Sequence, residues 1–90
     1  KNMTINITDL KKKIIYRSTY RGTKEMDSLL HSFIKKYVNI LNDKDLVCLS
    51  KLMDIDDENL YKFNQGQQTT VKFDDNNVSR LFRNFVYKKI

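Results

Sequence analysis

Hydrophobic positions recur along this chain at helical spacing, most clearly between residues 26 and 41. Met26, Leu29, Leu30, Phe33, Ile34, Tyr37, Val38 and Leu41 follow the i, i+3, i+4, i+7, i+8 series of an amphipathic helix. Thr23 is placed to N-cap it, with Glu25 and Asp27 in the first turn, where the helix dipole favours negative charge. The segment before it reads as a shorter helix: Thr8 as N-cap, Asp9 in the opening turn, and Leu10, Ile14 and Ile15 as its apolar side. Gly22 stands just past that helix, where a residue able to adopt the left-handed conformation is useful.

The pattern continues beyond residue 41. Asn42 caps a predicted third helix with Cys48, Leu49, Leu52 and Met53 facing inward and Leu46 at the edge of that stripe. Asp56 caps a short fourth helix carrying Leu60, Tyr61 and Phe63, closed near Gly66. A polar stretch of Gln65, Gln67, Gln68, Thr69 and Thr70 follows. Val71-Lys72-Phe73 alternates like a strand, but a segment this short with no partner makes no sheet. Asp74 or Asp75 then caps a last helix with Val78, Leu81, Phe82, Phe85 and Val86 on one face. The expected fold is all-α, a small bundle of about five short helices. No linker, repeat or low-complexity tract divides it, so residues 1–90 read as a single domain.

Composition limits the function classes. With 90 residues, 40% of them hydrophobic and 31% charged, the chain can bury one modest core. That is too little for a lid-and-cleft enzyme around a bulky cofactor. No apolar run approaches the roughly 20 residues needed to cross a bilayer. The single cysteine, Cys48, has no internal disulfide partner, which fits a reducing compartment. The net charge of +6 is segregated: residues 1–22 hold six basic and one acidic side chain, and residues 54–75 hold two basic and six acidic. Such a pattern suits an oriented protein–protein contact at least as well as nucleic acid.

Candidate chemistry is sparse. A calcium loop beginning at Asp54 would need glycine at its sixth position and glutamate at its twelfth, but Asn59 and Gln65 stand there. Asp56, Asp57 and Glu58 read instead as acids at a helix start. His31 has no second ligand at metal spacing and is placed to pair with Asp27. Nothing marks a base for the Cys48 thiol. Gly22 and Gly66 are the only glycines, so no phosphate-cradling loop or dinucleotide fingerprint exists. Lys11, Lys12 and Lys13, with Arg80, Arg83, Lys88 and Lys89, could track phosphates, which makes a small basic nucleic-acid-binding module the alternative reading. The corner between the first two helices stands out most. It gathers Arg17, Arg21, Gly22, Glu25 and Asp27 within eleven residues, more charge than a turn needs.

Tyr16-Arg17-Ser18-Thr19-Tyr20-Arg21-Gly22-Thr23-Lys24-Glu25-Met26-Asp27-Ser28-Leu29-Leu30, with Phe33 beyond, resembles the succinate dehydrogenase assembly factor 2 family. The hallmark of that family is Arg-Gly-x-x-Glu after a basic helix. A second block agrees: Leu49, Leu52, Met53 and Asp54, then Asp56-Asp57-Glu58-Asn59-Leu60 and an aromatic at Phe63. The likeness runs from about Ile14 to Gly66. Thr23 stands where methionine is usual, Tyr20 where a basic residue is common, and Phe63 where tryptophan is usual. The tail after Gly66 lacks the family's frequent proline.

The resemblance implies a chaperone-like factor of respiratory complex II assembly, not an enzyme. Such factors bind the flavoprotein subunit of succinate dehydrogenase, and in bacteria its fumarate reductase counterpart, and promote covalent FAD attachment. The bond itself joins the flavin methyl carbon to a histidine of the flavoprotein. No cofactor is expected on the isolated domain, and neither nucleic-acid binding nor membrane insertion. A monomer is expected, cytoplasmic in a bacterium or in the mitochondrial matrix of a eukaryote. Carried over by position, Arg21, Gly22 and Glu25 form the partner-binding core, supported by Arg17, Asp27, Asp56 and Asp57. On this reading Arg21 and Glu25 are exposed.

Overall fold

The computed structural model of the chain describes residues 6–19 and 21–86, and within them the only regular elements are five α-helices. They are α1 (Ile7–Arg17), α2 (Lys24–Tyr37), α3 (Asp43–Leu52), α4 (Asp57–Asn64) and α5 (Asn77–Asn84). The order and the all-α class are those expected. Tyr20, Tyr87, Lys88 and Lys89 lie outside the described residues.

Each helix begins on a side chain that accepts a hydrogen bond from a backbone N–H three residues on, which satisfies one of the orphan donors of the first turn. Thr23, Asn42 and Asp56 cap α2, α3 and α4 as their positions predicted. Two caps differ. Asn6, not Thr8, caps α1 by accepting from the Asp9 N–H. Asn76, not Asp74 or Asp75, caps α5 in a reciprocal box with Ser79. In both cases the asparagine one or two residues away holds the extended backbone of a cap. The fourth helix closes as expected, with Gly66 in the left-handed region at φ 74°.

The core is continuous through Ile14, Met26, Leu29, Leu30, Phe33, Ile34, Val38, Leu46, Leu49, Leu52, Met53, Leu60, Val78 and Phe82. α1 packs on α2 and α3, and α5 packs on α3 and α4. Phe33 and Phe82, both fully buried, meet edge to face at 5.1 Å between ring centres. Phe85 adds a second edge contact to Phe33 at 5.3 Å. Val71–Phe73 forms no strand; Phe73 instead stacks flat on Phe63 at 4.0 Å and pins the α4–α5 connection to the core. Of the expected inward residues on α1, Ile14 is buried but Ile15 is 42% exposed. Consecutive helical positions lie about 100° apart, so α3 can cover only one of them.

Two asparagines tie the second half of the chain together. Asn59, buried, donates to Asp56 Oδ1 at 2.8 Å and to Thr70 Oγ1 at 3.0 Å, while its own oxygen accepts the Thr70 N–H at 2.8 Å. Asn64 donates from Nδ2 to the Phe82 and Phe85 carbonyls at 2.8 and 2.9 Å, one in the last turn of α5 and one just past its end.

Candidate functional site

The α1–α2 corner lies against the α3–α4 corner, and Arg21 is the bolt between them. Its Nε donates to Asp57 Oδ1 at 2.7 Å. Nη1 donates to the Arg17 carbonyl at 2.8 Å and more weakly to that of Met53 at 3.4 Å; Nη2 donates to the Ile55 carbonyl at 3.1 Å. The Arg17 and Met53 carbonyls close the C-terminal ends of α1 and α3, where helices leave acceptors unsatisfied and carry partial negative charge, and the Ile55 carbonyl lies in the connection to α4. One guanidinium therefore closes two helix ends at once, a task suited to its rigid fork of donors. Its side chain is only 13% exposed.

Asp57 completes the bolt from the other side. Sitting in the first turn of α4, it accepts from Arg21 on Oδ1 and from the Gly22 N–H on Oδ2 at 2.8 Å. Gly22 was expected to supply left-handed backbone after α1, and it does not: α1 ends at Arg17 with Ser18 as its cap, and Gly66 is the positive-φ glycine among the described residues. The need for glycine comes from closeness. A Cβ at position 22 would lie 3.2 Å from Asp57 Oδ2, the oxygen that accepts the Gly22 N–H, on a carboxylate whose other oxygen is held by Arg21. Arg17 makes a further ion pair with Asp54, more exposed than the first. Among solvated groups such pairs contribute little.

Glu25 differs from Arg21. It lies exposed in the first turn of α2. It borders an apolar groove of about 440 Å³ with Met26, Glu58 and Tyr61, and a second of about 410 Å³ toward Leu29, Arg83 and Val86. The expectation that Arg21 and Glu25 are both exposed therefore holds for Glu25 and fails for Arg21. The reason is the reach of Asp57 and of the Met53 and Ile55 carbonyls, which lie more than thirty positions away in sequence.

The remaining expected residues divide between fold and surface. Asp56 caps α4, and its hydrogen bonds from the side chain and backbone of Asn59 hold its carboxyl below the ordinary carboxylate range. Asp27 has one buried oxygen, Oδ1, that accepts no hydrogen bond, and it does not pair with His31, which is exposed. Cys48 is half-buried beside a cavity of about 110 Å³ that Lys51 and Lys72 also line. Among the described residues no three His, Cys, Asp or Glu side chains are grouped to hold a metal ion, and no helix is long and apolar enough to cross a membrane. Sequence reasoning gave no role to Asn59 or Asn64. The only signal was an asparagine inside a helix, a residue type that earns its place there by bonding across to other backbone.

A family model described as flavinator of succinate dehydrogenase matches residues 12–86, from the basic run of α1 to the end of the last described segment. The chain belongs to that family. The match takes in the tail beyond Gly66, where the sequence likeness was weakest, and the structure shows why the tail counts: Phe73, Val78 and Phe82 complete the core of this flavinator-family fold. No curated protein and no solved structure matches the chain at a significant level.

Proposed function

We propose that this flavinator-family chain is an assembly factor that binds the flavoprotein subunit of succinate dehydrogenase and promotes covalent attachment of FAD to it, holding no cofactor of its own. The observation that carries this reading is the division of labour at the corner. Arg21, Gly22 and Asp57 fix the entry to α2, and Glu25 projects from that fixed turn onto an apolar groove. A binding surface set on a locked element loses little conformational freedom when it docks.

The mode of action is differential binding. The factor favours the arrangement of the flavoprotein that it contacts best, and only by the difference in affinity between that arrangement and the others. The histidine and the flavin belong to the partner; this chain contributes shape and charge. Arg17 and Asp57 support the contact by holding the two corners together, Asp56 by capping α4, and Asp27 from the first turn of α2. The fumarate reductase flavoprotein is a second client on the same surface. The nucleic-acid reading has less behind it, since Arg80 is paired with Asp75 and Arg83 lies over the Phe63 ring, 5.9 Å from its centre.

Deleting the gene tests the proposal. The flavoprotein subunit should persist but lose its fluorescent flavin band on a denaturing gel, and wild-type chain supplied in trans should restore it where Glu25→Ala does not. Normal covalent flavin in the deletion strain would refute the reading. The same gel read for fumarate reductase decides the second client.

A further inference from the structure

On the side of α1 and α2 away from Glu25 lies a groove of about 310 Å³ that the flavinylation reading does not use. Ile15, Ile34 and Val38 form its floor, and His31, Lys35 and Asn39 run along its α2 edge at successive turns. At one end Lys11 Nζ reaches across to Asn39 Oδ1 at 3.4 Å; at the other Ser18 lies near His31. The two helices thus run antiparallel, and from Lys11 to Ser18 the trough extends about 10 Å, roughly two helical turns. Ile15 is 42% exposed here, whereas its neighbour Ile14 is fully buried against the core.

The charge around this trough has one sign. Lys35 lines it, Lys11 reaches its end at Asn39, Lys12 lies one turn before Ile15 on α1, and no carboxylate lines it. Asp27, one turn before His31 on α2, is half-buried at the corner beyond the trough. An apolar floor between lysines is complementary to a helix that carries aliphatic residues at i and i+4 with Asp or Glu on its shoulders. Phosphate backbone would leave Ile15, Ile34 and Val38 facing charge. We propose that the α1–α2 groove docks an acidic amphipathic helix of the flavoprotein subunit, a second contact beside the Glu25 surface. This inference rests on the flavoprotein reading above.

The test uses the full chain and purified flavoprotein subunit, with Glu25→Ala as the reference for the first surface. Ile15→Asp should weaken binding roughly thirtyfold, the scale of an interface hot spot. Lys35→Glu should weaken it about tenfold, mostly through slower association, and flatten the salt dependence. Both positions are exposed, so thermal melts should match wild type. Carbodiimide coupling of the complex should join Lys35 or Lys11 to an Asp or Glu in an amphipathic helix of the flavoprotein. If wild type and Glu25→Ala both fail to bind, the flavoprotein reading falls and takes this one with it. If wild type binds, Glu25→Ala does not, and both groove variants bind as wild type, the groove proposal alone is wrong. It is also wrong if a short single-stranded RNA binds, loses affinity in Lys35→Glu, and the flavoprotein affinity stays unchanged.

Discussion

Truncating Arg21 to alanine removes the guanidinium that holds the Arg17, Met53 and Ile55 carbonyls and leaves the Asp57 carboxylate with the Gly22 N–H as its remaining partner. A hydrogen bond to a charged group contributes about 1.5–3 kcal/mol, and a half-buried charge left without its counterion adds to the loss. Urea unfolding of Arg21→Ala should therefore show about 2–4 kcal/mol less stability, and Arg21→Lys should recover little of it, because an ammonium cannot reach several acceptors in one plane. Glu25→Ala should change stability by less than about 0.5 kcal/mol, and any loss of flavinylation it causes belongs to the partner contact. Gly22→Ala should cost about 1 kcal/mol by pushing Asp57 off its two donors, with no left-handed strain involved. The charges of this corner were legible in the sequence as a cluster, but their burial was not. Arg17 through Asp27 are neighbours along the chain, whereas, apart from the Arg17 carbonyl, the groups that hold Arg21 come from residues 53–57.

At the scale of helices, amphipathic spacing located all five; it failed in choosing between neighbouring cap-forming residues and in placing Ile15 and Val86 on inward faces, since Ile15 is half-exposed and Val86 lies exposed beyond the end of α5. Asn6 and Thr8, or Asp74, Asp75 and Asn76, are chemically equivalent candidates, and the choice depends on which residue keeps extended backbone where the chain enters the helix. The Asp56 cap carries a pH signature. Its carboxyl titrates lower in the folded chain than unfolded, so the unfolded state takes up the proton first as pH falls. Its contribution is full above the unfolded value, near pH 4, and fades as pH drops through the folded one. Asp56→Asn should flatten the acid limb of a stability–pH curve below about pH 4, and at neutral pH it should fall below wild type, because one amide oxygen can keep the cap while the Asn59 Nδ2–H loses its acceptor. Asn59→Ala is the harsher change: the Thr70 N–H loses its acceptor, for about 1–3 kcal/mol in a thermal or urea melt.

For the molecule as a whole, the segment that reads least clearly in sequence closes the core. Nothing in the polar run after Gly66 announces that Phe73 will lie flat on Phe63, because the turn that returns the chain there contains no proline or glycine signal. The hydrophobic spacing of Val78 and Phe82 did predict a buried face, and both side chains are enclosed. Phe82→Ala should cost about 3–5 kcal/mol, a large part of the 5–15 kcal/mol typical of a small domain. Its calorimetric midpoint should fall well below those of Gly22→Ala and Glu25→Ala and at least as far as that of Arg21→Ala. The basic α1 and the acidic stretch around α4 also meet at the bolt, so the charge segregation seen along the chain becomes partial neutralisation in three dimensions.

That bolt also has a consequence in time. The contact between Arg21 and Asp57 closes a loop of 36 residues, whereas each helix cap spans three. Loop closure of that length has an entropic cost that local turns avoid, so the corner engages after α2, α3 and α4 have formed. Interactions absent from the folding transition state act on the rate of escape from the native state. Stopped-flow measurements on Arg21→Ala should accordingly show refolding close to wild type and unfolding accelerated by nearly the whole of its equilibrium loss. A matching acceleration in Asp57→Ala, with little further gain in the double variant, would mark the two side chains as a single latch. Slowed refolding in either variant would place the latch in the nucleus instead.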